Sequence, residues 1–591
     1  MRAGKKDRPV RRWMRHVAGK KIINILWLTL LQVFQGVSGI LFALFLGRLI
    51  DDAVAKNLPA FTRTGVLLLV LLAAMITASA LNRYLAEYTR SDLENCFKNR
   101  LFSDLLDGDY AHVAAIHSGE WMNRLTSDTT VVANGMADIY PNVIGLMARM
   151  IGAVVMILII IPKLIYIVIP GGILLFLFSW SFRKKLKALH RKVREKDGNL
   201  RVFLSETLGS LMIVKSFARE KQSSEEADLR MAAHRKARMD KIRFSNICNI
   251  GFGAAMDGAY VVGAIYCSYR ILRGTMSYGT FTVVLRMIAQ IQSPAANISG
   301  YLPRYYSMIA SAERLIEAEQ IPEDEGKDAL DSTAIDHLYH TSFAGFRFEN
   351  AGFTYLPPVS GQNTEEEPAA PEDPKANMPV VIRDLNLSIS KGDYIAFTGP
   401  SGCGKSTILK LLMCLYPLDC GTRSILLKEA GHAEKEIPLT GRYRKLFAYV
   451  PQGNQLMTGT IREIVTFANR EDMNSEAAIW NALRIACADE FVSALRDGID
   501  TRLGERGTGL SEGQMQRIAI ARAVFSDHPI LILDESTSAL DVKTEQQLLA
   551  NLRSMTDRTV LIVSHRPEVL KICSKQVLMS ERGVTVRKNN I

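Results

Sequence analysis

One short stretch of the chain has the composition and spacing of a phosphate-binding loop. It reads Gly399-Pro400-Ser401-Gly402-Cys403-Gly404-Lys405-Ser406 and lies between a predicted strand, Tyr394–Thr398, and a helical pattern. Glycines in such a loop let backbone N–H groups turn toward a β-phosphate, and the helix N-terminus adds its dipole. Lys405 is expected to reach the β- and γ-phosphates, and Ser406 to hold Mg²⁺. The predicted nucleotide-binding set runs from Gly399 through Thr407.

Two acids follow a second apolar run. The run Ile530–Leu533 is uninterrupted, which is typical of a parallel strand buried on both faces, and Asp534 and Glu535 come directly after it. Ligands of open α/β sheets bind at the carboxyl ends of the strands. Asp534 is therefore predicted to support Mg²⁺, and Glu535 to orient or deprotonate an attacking water. His565 ends a third apolar run, and we expect it to contact the γ-phosphate.

A second glycine-rich loop precedes a later helical pattern. The stretch RGTGLSEGQMQRIAIARAV occupies residues 506–524. Ser511 is a good N-cap, and Ser511-x-x-Gln514 has the spacing of a capping box. A helix start capped in this way leaves N–H groups free for an anion, and Gly513 permits close approach. Because the chain already has a better phosphate loop, the sequence raises the question of whose nucleotide this second loop serves.

The elements that must position these residues fall into two halves of different composition. The chain has 591 residues, of which 48% are hydrophobic, and most of the long apolar runs precede residue 300. After about residue 320 the pattern is that of a soluble α/β domain, with strand-like alternation in GFRFENAGFTY and DLNLSIS. The second half is therefore predicted to hold the nucleotide, and the first half to cross a membrane.

Six apolar stretches in the first half can each form a helix of roughly 20 residues, the length that a bilayer core requires. They lie near 22–50, 61–81, 140–161, 164–182, 246–272 and 280–302. The fifth and sixth are diluted by Gly, Ser, Asn and Gln, which suits helices that line a pathway or helices that pack closely. Long joins with helical spacing connect spans 2 and 3 and spans 4 and 5.

Positive charge gathers beside the apolar runs. The formal net charge is +12, and Lys and Arg concentrate before residue 22 and within 183–243. By the positive-inside tendency, the N-terminus, both long joins and the second half are predicted to be cytoplasmic. A soluble nucleic-acid ATPase would not need six spans. The eight cysteines show no Cys-x-x-Cys spacing, which argues against a zinc site or a disulfide framework.

With these features in place, the chain resembles an ATP-binding cassette half-transporter of the exporter type over nearly its whole length. The resemblance implies a multidomain membrane protein, with an all-α six-helix transmembrane domain fused to an α/β P-loop NTPase cassette. The implied domains are a basic cytoplasmic N-terminus at 1–21, a transmembrane domain at 22–315, a linker at 316–345 and the cassette at 346–591. The implied activity is ATP hydrolysis coupled to transport.

Further motifs carry the resemblance and imply roles for single residues. YVPQ places Gln452 in the glutamine loop, which in the family links Mg²⁺ and water to the membrane domain. Tyr355 falls where the family stacks an aromatic ring on adenine, and Asp541 ends SALD, the loop that crosses to the partner subunit. LGERG, 503–507, resembles a loop typical of exporters. GEWMNRLTSDT and ETLGSLMIVKSFARE resemble the two cytoplasmic loops whose short helices press on the cassettes.

The stretch LSEGQ, 510–514, resembles the family signature and so implies an answer about the second loop. In the family two cassettes dimerise head to tail, and each signature covers the ATP that the other holds. Ser511, Gly513 and Gln514 are therefore expected to contact a partner's nucleotide. Glu512 stands where the family usually has Gly. Its carboxylate is unfavourable near a triphosphate but favours the helix dipole, so we expect it to point aside.

Residues 357–379, PPVSGQNTEEEPAAPEDPKANMP, depart from the family pattern. They are rich in Pro and acids and offer little to bury, so they are predicted to be a disordered insertion between two early strands of the cassette. Two interpretations stay open: a tolerated surface insertion, or a contact for a partner or regulator.

The resemblance implies ATP-driven export of a lipid, a drug-like compound or a peptide by a dimer, with ATP and Mg²⁺ as cofactors. The second subunit could be the same chain or a different one. Two alternatives remain: a siderophore-type importer of the same fold, and a nucleotide-gated regulator without net transport. The substrate is not indicated. Arg149, Asp257 and Arg286 are ionisable residues at membrane depth, which either contact substrate or pair with one another.

Overall fold

A computed structural model of the chain describes residues 3–162, 165–297, 300–326, 328–357, 375, 378–428, 435–453, 456–469, 472–504, 507, 509–555, 557–564, 566–580 and 583–588. The chain divides into two compact units. Unit 1 comprises Met1–Asn99 and Thr126–Leu315, and unit 2 comprises Arg100–Leu125 and Ile316–Ile591.

The first half of the described chain is helical. Its helices are α1 Ala3–Ala18, α2 Ile22–Val54, α3 Leu58–Asp107, α4 Tyr110–Ala114, α5 Ser118–Asn123, α6 Thr129–Ile160, α7 Ile165–Gly209, α8 Leu211–Ser216, α9 Glu220–Leu272, α10 Tyr278–Asn297 and α11 Tyr301–Glu319. Four described segments are long and apolar enough to cross a membrane: Arg8–Val54, Leu58–Asp107, Ser118–Ile160 and Glu220–Leu272. They contain predicted spans 1, 2 and 5, and predicted span 3 except for its last residue, Ile161. Predicted span 4 falls mainly in α7 and span 6 in α10 and α11, apart from residues 163–164 and 298–299, which lie outside the described residues.

Small and polar residues bring α10 against α2. A Cβ added at Gly279 would lie 1.9 Å from the carbonyl oxygen of Gly47, so the two backbones are in direct contact there. The side-chain amide of Gln290 in α10 also donates to the carbonyl of Gly39 at 2.8 Å. Close backbone approach and polar bonds are what hold helices together in a membrane. At Gln290, the polar composition of predicted span 6 therefore serves packing.

The three ionisable residues predicted at membrane depth do not pair with one another within the described part of the chain. Arg286 places its guanidinium carbon 4.9 Å from the centroid of the Phe42 ring, a cation–π contact. Asp257 is exposed and Arg149 is half-buried. The expectation that these three residues pair with one another is therefore not met within the described part of the chain. Contact of these residues with substrate stays a prediction.

The second half alternates strands and helices. The strands are β1 Phe343–Phe353, β2 Ile382–Ser390, β3 Tyr394–Thr398, β4 Cys420–Leu427, β5 Lys435–Pro438, β6 Phe447–Val450, β7 Gly459–Thr460, β8 Arg502–Leu503, β9 Ile530–Asp534, β10 Thr559–Val563, β11 Lys575–Ser580 and β12 Gly583–Lys588. The helices are α12 Ser332–Thr341, α13 Lys405–Leu412, α14 Ile461–Val465, α15 Glu476–Ile485, α16 Asp489–Ser493, α17 Glu512–Phe525, α18 Val542–Arg553 and α19 Pro567–Ile572.

A six-stranded sheet forms the centre of the cassette. Its order is β12-β11-β3-β10-β9-β6, with β12 antiparallel and the other neighbours parallel. Every residue of β9 and β10 is buried, as their continuous apolar runs predict. A second, antiparallel sheet has the order β2-β1-β4-β5. Because β3, β10 and β9 are adjacent and parallel, their carboxyl ends meet at one edge, where the predicted nucleotide residues lie.

The first long join contributes a short helix to unit 2. Ala111 of α4 is buried in the same apolar cluster as Phe353 and Tyr416. The ring of Tyr110 meets that of Tyr416 edge-on, with centroids 5.5 Å apart. This contact is made by α4, the helix just before the stretch GEWMNRLTSDT, which begins in α5; contact of that stretch itself with a cassette stays a prediction. Trp121 of α5 ties the two helices together by donating to the carbonyl of Val113 at 3.0 Å.

Most of the predicted insertion, at 358–374 and 376–377, lies outside the described residues. Lys375 is described, and its ammonium lies 2.5 Å from a carboxylate oxygen of Asp419 and 5.4 Å from the centroid of the Phe353 ring. The strands on either side are joined independently of the insertion, since Phe353 pairs with Ile382 across β1 and β2. The β1–β2 pairing is therefore made by residues on either side of the insertion.

Deleting residues 358–374 is expected to change the melting temperature by no more than about 2 °C and the ATPase rate by no more than about twofold. The reason is that a shorter loop lowers the entropy cost of closing the β1–β2 hairpin slightly, while the Lys375 contacts are kept. Replacing the same residues by a Gly/Ser segment of equal length is the control. A fall of more than about 5 °C for the deletion alone would mean that the segment packs on the cassette.

A candidate nucleotide-hydrolysis site

The predicted phosphate loop connects β3 to α13, and its backbone requires glycine. Gly402 and Gly404 have φ of +83° and +95°, in the left-handed region that other residues avoid. A Cβ at Gly399 would lie 2.3 Å from the carbonyl oxygen of Met579. Pro400, Ser401 and Gly402 are exposed at the tip, and Cys403 is half-buried. The loop therefore presents open backbone at the N-terminus of a helix, which is the arrangement that binds phosphate.

Lys405 is held inside this loop. Only 6% of the residue is exposed, and its ammonium donates to the carbonyl oxygens of Gly399 and Pro400 at 2.8 and 2.9 Å. Two carbonyls satisfy two of its three donors and fix the position of the charge. This places a cation at the loop, as the predicted contact with the β- and γ-phosphates requires.

Ser406, in the first turn of α13, lies next to Asp534, the last residue of β9. The Ser406 hydroxyl donates to one carboxylate oxygen of Asp534 at 2.9 Å, and the Tyr449 hydroxyl donates to the other at 3.1 Å. Asp534 is 1% exposed, and burial raises its pKa above the ordinary value. Among the described residues no Lys or Arg forms an ion pair with it. A buried carboxylate beside a hydroxyl and without a basic partner fits a cation such as Mg²⁺, which prefers oxygen ligands.

Glu535 is turned out of the sheet toward Gln452. Its φ is +50°, unusual for a residue with a side chain, and its N–H donates to the carbonyl of Val563 at 3.1 Å. The side-chain amide of Gln452 donates to a Glu535 carboxylate oxygen at 2.7 Å. Strained backbone of this kind costs about 1–3 kcal/mol and clusters at functional sites. The two residues predicted to handle the attacking water are thus in contact.

Tyr355 lies beside the helix that follows the phosphate loop. Its hydroxyl is 2.9 Å from that of Thr407, and its ring meets those of Phe353 and Tyr416 edge-on, with centroids 4.8 and 5.2 Å away. This hydrogen bond brings two of the predicted nucleotide-binding residues together. Stacking of Tyr355 on adenine stays a prediction.

The signature-like stretch begins helix α17, and the predicted capping box is confirmed. The side chain of Gln514 accepts from the N–H of Ser511 at 2.9 Å, and the hydroxyl of Ser511 accepts from the N–H of Gln514 at 3.3 Å. Glu512 is exposed in the first turn. Besides permitting close approach of an anion, glycine at residue 513 avoids a clash, since a Cβ there would lie 2.8 Å from the carbonyl oxygen of Ala539. The start of α17 therefore packs on the SALD loop of its own cassette.

Two further residues, which the sequence did not single out, fix that loop. Gln516 is buried in α17; its amide donates to the Ser538 hydroxyl at 3.1 Å and accepts from the N–H of Ala539 at 3.1 Å. Arg566 donates to the carbonyls of Ser538 and Leu540 at 2.6 and 2.8 Å.

The buried acid Glu545 holds Arg566 in place and so helps to stabilise the SALD loop. Only 1% of the residue is exposed, and its carboxylate lies 2.9 Å from a terminal nitrogen of Arg566. Asp541, predicted to face the partner, caps α18 by accepting from the N–H of Thr544 at 3.0 Å. A hydrogen bond from the Thr544 side chain is the main cause of a lowered pKa at Asp541, and the bond from the Thr544 N–H lowers that pKa further. His565, predicted to contact the γ-phosphate, lies outside the described residues.

Comparison with known proteins gives consistent results over both halves. A model of the ABC transporter transmembrane region matches residues 25–295, and a model described as ABC transporter matches residues 382–538. The chain is 27% identical over 552 residues to the ATP-dependent lipid A-core flippase of Salmonella typhimurium, covering 91% of this chain and 88% of that one. It is also 27% identical over 499 residues to the ABC transporter ATP-binding protein YwjA of Bacillus subtilis, covering 83% and 80%.

Among solved structures, a bacterial Atm1-family ABC exporter with ATP bound superposes with a TM-score of 0.73 at 20% identity, over 96% of this chain and 95% of that one. At this identity the likeness establishes the fold. It is the exporter fold, with a helical membrane domain followed by an α/β cassette. The expected fold class is confirmed, as is an ATPase coupled to transport. The chain belongs to the ABC transporter family, as an exporter-type member with its membrane domain and its cassette fused in one polypeptide.

Proposed function

We propose that this ABC transporter exports an amphipathic molecule, a lipid, a drug-like compound or a peptide, and that it works as a dimer with ATP held between two cassettes. The observation that carries the proposal is the hydrolytic centre, where Gln452 contacts Glu535 at 2.7 Å beside the Ser406–Asp534 pair. A nucleotide-gated regulator would have no use for a positioned carboxylate next to buried cation ligands. This centre therefore favours a pump that turns over ATP.

The proposal assigns a role to each group of the centre. Ser406 and Asp534 would hold Mg²⁺, which when bound neutralises phosphate charge. Lys405 and the N-terminus of α13 bind phosphate oxygens. Glu535 orients the attacking water or removes its proton, and the amide of Gln452 fixes the direction of the Glu535 carboxylate. His565 is proposed to contact the γ-phosphate on the resemblance alone.

Two observations support a dimer. The side-chain hydrogen bonds of Ser511 stay within the start of its own helix, so the first turn of α17 remains available to an anion from another subunit. The short helix α8 exposes Leu211, Met212 and Ile213, and Phe217 follows it with 74% of its surface exposed. Exposed apolar clusters mark interaction sites, and this stretch resembles a loop that presses on a cassette in the family.

The proposed orientation follows from charge. Lys and Arg crowd the N-terminus before the first apolar run and the long join within α7 and α9, so these segments and the cassette are placed in the cytoplasm. The corresponding domains are 1–21, 22–315, 316–345 and 346–591. Helix α12 and the start of β1 fall within the proposed linker.

Inverted membrane vesicles, with the cassette side outward, are expected to take up or flip substrate when ATP is added. Vesicles containing the native chain and vesicles containing Glu535→Gln are compared by untargeted mass spectrometry of their contents and of both lipid leaflets. ATP-dependent accumulation in the lumen, or in the lumenal leaflet, in the native sample alone is the expected result. Depletion of the lumen would instead indicate import. ATP hydrolysis without any change in contents or leaflets would contradict transport.

A further inference from the structure

Tyr449 is the third residue of β6, and its hydroxyl touches the carboxylate that is proposed to hold Mg²⁺. Strand β6 runs parallel to β9, with Tyr449 beside Ile532. Because alternate residues of a strand point to the same face of the sheet, Asp534 lies on the same face as Ile532 and Tyr449. A long side chain on this face of β6 can therefore reach the carboxyl end of β9.

The two carboxylate oxygens of Asp534 have different neighbours. Oδ1 accepts from the Ser406 hydroxyl at 2.9 Å, and Oδ2 accepts from the Tyr449 hydroxyl at 3.1 Å. Of these two neighbours, only Ser406 is also proposed to hold Mg²⁺. The hydrogen bond from Tyr449 therefore leaves Oδ1 as the oxygen available to a cation that Ser406 also binds.

Tyr449 acts here as a hydrogen-bond donor and not as an anionic ligand. Burial raises the pKa of its hydroxyl above the ordinary value, and the negative charge of Asp534 raises that pKa further. The phenol therefore keeps its proton at neutral pH. A protonated phenol bonded to one oxygen holds the Asp534 carboxylate in a single orientation, as the partners behind a metal ligand do.

The end of β6 and the residues after it hold both acids of the centre. Gln452 follows Tyr449 by three residues, and its amide donates to Glu535 at 2.7 Å. Asp534 and Glu535 are themselves consecutive. This short segment therefore sets the direction of the carboxylate predicted to handle the attacking water and also that of the carboxylate proposed to hold the cation.

With one oxygen occupied, Asp534 suits a small cation better than a large one. Mg²⁺ demands near-octahedral geometry and is usually bound through one or two carboxylates, phosphates and water, whereas Ca²⁺ takes about six to eight oxygens and often both oxygens of one carboxylate. While Tyr449 donates to Oδ2, Asp534 offers a single free oxygen. Ca²⁺ could gain the second oxygen only by breaking the hydrogen bond from Tyr449.

We propose that Tyr449 is a positioning residue that makes the nucleotide site selective for Mg²⁺ over Ca²⁺, by holding Oδ2 of Asp534 and leaving Oδ1 to the cation. The inference rests on the part of the proposed function that assigns Ser406 and Asp534 to Mg²⁺, and it depends neither on export nor on a dimer. Tyr449 acts through Asp534 and needs no contact of its own with metal or nucleotide.

Binding of a non-hydrolysable ATP analogue to the purified full chain tests this inference without turnover. The dissociation constant is measured in excess Mg²⁺, in excess Ca²⁺ and in EDTA, so that the nucleotide carries one known cation or none. In Tyr449→Phe we expect the Mg²⁺ complex to bind about tenfold more weakly than in the native chain. The affinity for the Ca²⁺ complex should change by less than about twofold, because the freed oxygen can then take part, and binding in EDTA should stay the same.

Tyr394→Phe is the matched control. Tyr394 is half-buried like Tyr449 and begins β3 of the same sheet, but its hydroxyl donates to the carbonyls of Leu552 and Met555 at 2.9 and 3.2 Å. This variant loses the same group and should bind all three forms of the nucleotide as the native chain does. Thermal melting shows whether both variants fold. An equal loss of affinity in Mg²⁺, Ca²⁺ and EDTA for Tyr449→Phe would indicate a general structural role and would overturn the proposal.

The same measurements separate this inference from the proposed function. If the native chain binds the analogue equally well in Mg²⁺ and in EDTA, the Mg²⁺ role of Ser406 and Asp534 is wrong, and the inference falls with it. If the native chain needs Mg²⁺ but Tyr449→Phe keeps the native preference for Mg²⁺ over Ca²⁺, that role stands and the assignment of Tyr449 is wrong.

Discussion

Glu535→Gln is expected to bind ATP with near-native affinity and to hydrolyse it at least about a hundredfold more slowly than the native chain. Glutamine keeps the size of the side chain. Its amide oxygen can still accept the hydrogen bond that the Gln452 amide donates to Glu535 at 2.7 Å. It cannot remove a proton or offer negative charge to an attacking water. Phosphate release under saturating ATP and nucleotide binding measured on the same preparation give the two quantities.

Glu490→Gln is the matched control, because Glu490 is an exposed acid of α16 away from the centre. It should hydrolyse ATP at the native rate. A Glu535→Gln protein with near-native turnover would remove Glu535 from the chemistry and would direct attention to a site in a partner subunit. The geometry at this residue, with φ of +50° and a fixed amide neighbour, makes the carboxylate direction specific.

Ser511→Arg is expected to abolish hydrolysis by blocking a partner's nucleotide, not the one bound by the same chain. Ser511 begins α17, and its side-chain bonds involve only Gln514. Ser511 is exposed at the start of the helix, so a long side chain at this residue would extend into the space before the helix. That space is where the proposal places the γ-phosphate held by a second cassette.

Mixing two inactive proteins tests this sharing. One carries Ser511→Arg and the other Lys405→Ala, and each alone should be inactive. In a mixed dimer one site combines native Lys405 with native Ser511, so equal mixing should restore about a quarter of the native sites. Ser493→Arg, at an exposed position of α16, controls for the added charge and should stay active. Full activity of Ser511→Arg alone, or no recovery in mixtures shown to exchange subunits, would contradict shared sites.

Elements set by local pattern could be predicted from the sequence. The strand predicted at Tyr394–Thr398 is β3 residue for residue, and the buried run at Ile530–Leu533 is β9 with Asp534 as its last residue. The capping box at Ser511 and Gln514 is also confirmed. These features depend on residues a few positions apart, whose spacing alone fixes periodicity, caps and turns.

Contacts between distant residues required the tertiary structure. Ser406 and Asp534 are 128 residues apart, and the sequence could propose both only because each follows a strand of the same predicted sheet. No such rule points to Arg566 as the donor to Ser538 and Leu540, or to Ala539 as a reason for Gly513. These depend on where chain segments meet after folding.

The membrane half shows the same division. Its sequence determined that long apolar helices cross a bilayer and that polar residues interrupt the later ones. Only the structure decided that Gln290 packs against Gly39, and that Asn82, Arg83 and Asp138 share one cavity. Apolar length is a property of consecutive residues, whereas a cavity is a property of three helices whose relative rotation no single stretch of sequence records.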